Sequence, residues 1–244
     1  MPKPDYTAAA QALLRDANHA VLSTLSVQLP GYPFGSVIPC AVTPAQEPIL
    51  CISNLAEHAK NIQHDPRVAL TAIAPNSAPE TQAGARFTYL GTAQPVTDTQ
   101  LDAVRSQFLA LVPSAHRYVG FGDFHFYTIA MTRGRYIGGF GAIAWIAAEA
   151  FAQLDPIATK IGGRLEDLNR ELATQLDSLG TDIVSVDRFG CNTLTRADIS
   201  GDKTPQRWSF VEPLAPAELA SDNRARLSAV VAAAARVFQS HALI

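Results

Sequence analysis

GDFHFYTIAMTRGRYIGGFGAIAW, residues 122–145, is the stretch whose reading decides the fold. Phe124, Phe126, Thr128 and Ala130 fall on one side of an extended chain, and His125, Tyr127, Ile129 and Met131 on the other. Both sides are largely apolar. Such a strand is covered twice, as a barrel wall is when a dimer partner or a ligand lies against its outside. Thr132-Arg133-Gly134 reads as a short turn, and Arg135-Tyr136-Ile137 as renewed extended chain. Gly138-Gly139-Phe140-Gly141 then reads as an exit whose backbone can take positive φ and come close to a flat ligand or another chain.

Outward from this stretch the chain alternates short apolar runs with turn residues. Strands are expected over 20–26, 34–42, 48–53, 67–73 and 86–95. Helices are expected over 6–18, over 55–63 with Asn54 as its N-cap, and over 98–111 with Thr97 or Asp98 as cap; residues 114–120 continue helically. Residues 74–84, polar and with two prolines, read as a surface loop. Helices do not alternate regularly with strands, which excludes a doubly wound parallel sheet. The pattern specifies an α+β fold: an antiparallel barrel of six or seven strands with peripheral helices over residues 1–150.

The periodicity breaks around 151–156. A second, smaller domain is expected over 151–244. Its helix over 158–179 carries Leu165, Leu168, Leu172 and Leu176 on one face and stops at Gly180. Strands over 181–186, 191–196 and 207–211 and a closing helix over 223–239 complete an α-β-β-β-α unit.

Composition narrows the function. The chain has 244 residues, 48% hydrophobic and 17% charged, which is ample material for a core. Net charge is −3 with no basic block, so a nucleic-acid partner held by charge is not expected. No apolar run is long enough to cross a bilayer, and the N-terminal residues lack a signal-type apolar core, so the cytoplasm is the expected location. Cys40, Cys51 and Cys191 are far apart and form no CxxC, which fits buried small side chains and not a zinc site. No GxSxG, P-loop, HExxH, or GxGxxG after a strand is present.

Three segments together resemble a known family. They are Ala20 to Thr24 with Gly31-Tyr32-Pro33-Phe34-Gly35-Ser36, then Ile52-Ser53-Asn54-Leu55-Ala56-Glu57-His58-Ala59-Lys60-Asn61 with Asp65-Pro66-Arg67, then Asp123-Phe124 through Gly138-Gly139-Phe140-Gly141. In this order they resemble the pyridoxamine 5'-phosphate oxidase-like, FMN-binding split-barrel family, in its haem-utilisation (HugZ-like) branch. The C-terminal part resembles the small DUF2470-like domain often fused to that branch. The resemblance implies a split-barrel homodimer holding a planar cofactor, FMN or haem, in an intersubunit cleft, and a possible oxidoreductase of haem utilisation. It equally admits a non-catalytic cofactor-binding or storage protein that has lost the family's ligands, with neither cofactor bound.

For FMN, the phosphate needs convergent hydroxyls, backbone N–H groups and cations. The resemblance points to Ser36, Ser53, Asn54, Lys60, Asn61 and Arg67 as that supply, with Ala56-Glu57-His58 where flavin-binding relatives carry a cationic cluster. For haem, iron needs an axial donor. Close relatives begin the small domain with Glu-His-Met-Asn-x-Asp-His, whereas this chain has Glu166-Asp167-Leu168-Asn169-Arg170-Glu171-Leu172, without either histidine. His58 and His241 are the remaining axial candidates. Asp123 either polarises an axial histidine or caps the preceding turn. Phe140 and Trp145 stack on a flat ring or anchor a dimer interface.

Overall fold

In the computed structural model of the chain, the organising stretch forms one long strand where two were expected. β7 runs over Phe124–Ile137. The expected turn at 132–134 is a bulge: against β6 (Arg86–Pro95), Leu90 pairs with Arg133 and Gly91 with Met131, leaving Thr132 as the extra residue. Gly134 is not a turn glycine. A Cβ there would sit 2.5 Å from Phe87 Cε2 and 2.7 Å from Met131 Cε, so the absent side chain makes room for a core ring. Gly139 and Gly141 do take positive φ, 111° and 82°, before β8 (Ile143–Ala147) returns antiparallel along β7.

The structure describes residues 6–17, 19–43, 45–74, 84–139, 141–152, 170–173, 176–177, 181–187, 190–195, 206–209, 230–236 and 238. The chain divides into two units, Met1–Gln153 and Leu154–Ile244. In the first, β1 (His19–Leu25), β2 (Pro33–Pro39), β3 (Ala41–Val42), β4 (Pro48–Ser53) and β5 (Arg67–Ile73) join β6, β7 and β8 in one eight-stranded sheet. Its order is β2-β1-β5-β6-β7-β4-β3, with β8 also on β7. All its pairings are antiparallel.

The expected strand over 34–42 is broken at Cys40, which explains the eighth strand. Its halves, β2 and β3, lie at opposite ends of the sheet order although one residue separates them. A single residue cannot span a flat sheet, so the sheet curls until its two edges meet. The edges meet without a hydrogen-bonded ladder, which makes the barrel split.

Leu22, Leu50, Leu70, Phe87, Tyr89 and Ile129 fill the barrel and are essentially inaccessible to solvent. α1 (Tyr6–Asp16) adds Leu13 and Leu14, and α4 (Ala148–Phe151) adds Phe151. A second apolar cluster lies outside the barrel under α3 (Asp98–Leu111) and a 3₁₀ turn (Pro113–Arg117), where Phe108 meets Phe126 edge-on at 5.6 Å. β7 is therefore buried on both sides at Phe126 and Tyr127, but the outer cover over Phe126 is α3 and not a partner or ligand.

α2 spans Glu57–His64, two residues later than expected at its start. Its N-cap position is Ala56, which offers no side-chain bond. Asn54 does not cap it: its amide oxygen accepts from Gln63 Nε2 at 3.2 Å. Thr97 does occupy the N-cap position of α3, but its hydroxyl bonds the Gln100 side chain and not a backbone N–H.

In the second unit β9 (Thr181–Asp187), β10 (Gly190–Thr195) and β11 (Gln206–Ser209) form an antiparallel sheet ordered β11-β10-β9. Leu172, Leu176, Ile183, Cys191, Val230 and Phe238, all of this unit's sequence, are buried. Among the described residues no helix is long and apolar enough to cross a membrane.

Candidate functional site

α2 packs over β1 and β2, beside the open seam of the barrel. Asn61 fixes it there. This side chain is fully buried; its Nδ2 donates to Thr24 Oγ1 at 2.9 Å and its Oδ1 accepts from the Val27 backbone N–H at 2.9 Å. One turn earlier on the same helix face lies His58. Its Nδ1 is 3.1 Å from Ser36 Oγ, and Ser36 sits opposite Leu22 on the inward face of β2. His58 is half-buried, and desolvation pushes its pKa below the usual histidine value, so the ring is neutral near pH 7. Nε2 has no hydrogen-bond partner among the described residues. The structure thus brings together Ser36 and His58, 22 residues apart in sequence, and leaves one imidazole nitrogen available.

The turn between β4 and α2 is pinned from the opposite side. Ser53 Oγ donates to Asp123 Oδ2 at 2.5 Å and accepts from the Leu55 N–H at 3.1 Å. The Asn54 N–H donates to the Asp123 carbonyl at 2.8 Å. Asp123 therefore organises the β4–α2 turn. Ser53 and Asn54 flank the His58 helix, but their polar groups are already engaged.

The expected phosphate cations are engaged too. Lys60 Nζ lies 3.8 Å from Glu57 Oε2, an oxygen that also accepts from Gln28 Nε2 at 3.3 Å. Arg67 holds Asp65 through Nε at 2.9 Å and Nη2 at 2.5 Å, and this contact pulls the Asp65 carboxyl down to about 2. Neither cation converges on His58 with a free valence. Cys40 and Cys51 are buried thiols whose pKa values burial pushes up to about 12 and about 11, so neither is a thiolate near neutrality.

Trp145 lies elsewhere, on the outer face of the sheet. The pairings Val37–Val21–Thr71–Thr88–Arg135–Trp145 form one row across six strands. The guanidinium carbons of Arg133 and Arg135 sit 5.1 and 5.0 Å from the Trp145 ring centre. Neither arginine has a hydrogen bond or ion pair among the described residues. Sequence reasoning did not single out these two as site residues; their spacing of two in a strand, which puts both on one face, is the signal that carries them. Phe140 and His241 lie outside the described residues, as do positions 166–169 of the motif that opens the small domain.

Comparison with known proteins adds the following. The CREG β-barrel family matches over residues 2–153. A curated relative from Arabidopsis thaliana, "non-canonical heme oxygenase HOZ, chloroplastic", is 34% identical over 173 residues. That match covers 68% of this chain and 52% of the relative, so the chain spans about half the relative's length. Among solved structures, a haem-binding protein from Mycobacterium smegmatis matches with a TM-score of 0.60 and 25% identity over 98% of each chain. A protein of unknown function from Agrobacterium tumefaciens matches with a TM-score of 0.70 and 19% identity over 95% of each chain, which is a likeness of fold.

Proposed function

The chain belongs to the CREG β-barrel family, and from that premise we propose that it binds haem in a cleft completed by a second copy of itself. One observation carries this reading: a neutral, half-buried imidazole at the barrel seam, oriented through Nδ1 by Ser36, with Nε2 unpartnered among the described residues. An axial histidine needs that arrangement, one nitrogen held and the other available. The haem-related names of the Arabidopsis and Mycobacterium relatives support the same ligand. The donor set fits FMN less well, because Lys60 and Arg67 are held by carboxylates and Glu57 stands on the same helix as His58.

His58 would hold the iron, with Ser36 fixing the ring. Arg133 and Arg135, without carboxylate partners among the described residues, would receive the propionates, contributed by the second copy since they lie across the sheet from His58. Bound haem would supply redox-active iron. The chain's own residues orient the ligand nitrogen and wall the seam. Haem storage without turnover is the second reading, favoured because the Asp123 carboxylate is engaged by Ser53 and the imidazole's hydrogen-bond partner is Ser36.

The test is titration of haemin into the purified chain. A Soret band characteristic of histidine ligation is expected, and His58→Ala is expected to lower affinity by about 10- to 100-fold and shift the band. Added imidazole restores it. An unchanged Soret band in His58→Ala overturns the assignment, and flavin bands on the purified protein in place of haem binding overturn the ligand.

The second copy is expected on the outer sheet face. Val37 is 71% exposed, Ile73 53%, Ile143 49% and Trp145 51%, and all four point outward from adjoining rows of the sheet. Val37→Asp combined with Ile143→Asp is expected to convert a dimer to a monomer in sedimentation velocity. A wild-type monomer sinks the dimer and the intersubunit cleft with it.

A further inference from the structure

A cavity of about 330 Å³ lies away from His58, between the start of β4, the bulged part of β6 and β7, and α4. Met131, Ala130 and Ala148 give it partly exposed apolar lining, over a floor formed by Tyr89 and Phe151, which are each 1% exposed. The floor is closely packed: Phe151 stacks on Phe87 at 5.2 Å and meets Tyr89 edge-on at 5.6 Å, while the Tyr89 hydroxyl donates to the Ile129 carbonyl at 3.0 Å.

Into this apolar space the chain brings one carboxylate, Glu47. Its backbone is anchored at both polar groups. The Thr43 N–H donates to the Glu47 carbonyl at 2.8 Å, and the Glu47 N–H donates to Thr43 Oγ1 at 3.2 Å. Before it, Gln46 takes a left-handed φ of 66° and accepts a hydrogen bond from Arg15 Nη1. The Glu47 side chain is half-buried and has neither hydrogen bond nor ion pair among the described residues. Burial raises its pKa, as it does for a carboxylate withdrawn from water with no cation beside it. Glu149, exposed at the rim, adds a second negative charge.

We propose that this cavity binds a small organic ammonium ion, its cationic head on Glu47 and its apolar body against Ala130, Met131 and Ala148. A half-dehydrated carboxylate gains most from a cation. The Met131 thioether adapts to an apolar body. The volume falls at the lower end of small-molecule sites. Anions are disfavoured by both glutamates, and a neutral ligand leaves Glu47 uncompensated. The inference stands on its own geometry and survives failure of the haem reading.

Calorimetric titration of the full chain at pH 7 with phenethylammonium, phenethyl alcohol and hydrocinnamate tests it. The three share one apolar body and differ in charge. The ammonium ion is expected to bind at least ~10-fold more tightly than the alcohol, and hydrocinnamate not at all. Glu47→Gln is expected to bring the ammonium ion down to the alcohol's affinity, and Ala148→Phe, which fills the cavity from α4, to abolish both. No binding by the wild type, equal affinity for ammonium and alcohol, or full ammonium affinity in either variant overturns the proposal.

Discussion

Gly91→Ala is expected to destabilise the first unit by at least ~3 kcal/mol, because its added Cβ would make the tightest backbone contact found among the described glycines. Gly91 sits at the register shift between β6 and β7. A Cβ there would lie inside the van der Waals distance of the Ala130 carbonyl oxygen and 2.8 Å from Ile129 Cγ2. The oxygen belongs to a ladder strand and cannot rotate away. Relief requires β7 to move, and β7 pairs with β4, β6 and β8 together. Gly134→Ala is the internal control. Its Cβ would meet the Phe87 ring and the Met131 methyl, and side-chain ends give way more readily, so the expected cost is about 1–3 kcal/mol. Urea denaturation measures both. A Gly91→Ala loss no larger than that of Gly134→Ala refutes the account of the bulge.

These glycines also show where the sequence stops informing. The period-two apolar pattern locates β1, β5 and β6 to within a residue or two, because each buries one face in the barrel and the residues record it, whereas β4 is legible as a continuous apolar run because it is buried on both faces. Gly134 does not record its role. A glycine within an apolar run marks either a turn or a close approach, and the choice is made here by the Phe87 ring, 47 positions away. The break at Cys40 is equally hidden: Pro39 sits at a strand edge, but only the opposed positions of β2 and β3 show that the chain changes edges there. In the site, Asp65-Pro66-Arg67 is a local pair legible from its spacing, and so is Glu57 three residues before Lys60. Ser36 beside His58 is not legible, since curling of the sheet and seating of α2 bring them together. Asn61 is the instructive misplacement. As a polar residue in the motif it suggests a ligand donor, whereas its complete burial makes it a structural tie.

Asn61→Ala is accordingly expected to cost about 2–4 kcal/mol and to weaken haem binding although Asn61 need touch no cofactor. Truncation leaves the Val27 N–H without its acceptor, removes the donor to Thr24, and opens a hole under α2. Asn61→Asp separates these effects. It keeps an acceptor for Val27 but loses the donor to Thr24 and places an ionisable group where exposure is nil. Burial raises the folded-state pKa of such a carboxyl above its unfolded value near ~3.9. Its penalty is therefore small below that pH and grows as pH rises towards 7, because only the unfolded chain ionises freely. Urea midpoints at pH 5 and pH 7, each referred to wild type, give the slope. His58→Ala must behave differently: haem affinity falls while the urea midpoint stays within ~1 kcal/mol of wild type, since His58 is half-exposed and makes one side-chain contact. If Asn61→Ala leaves both the urea midpoint and haem affinity unchanged, α2 is held by something other than the Thr24–Asn61–Val27 tie, and the positioning of His58 described above is wrong.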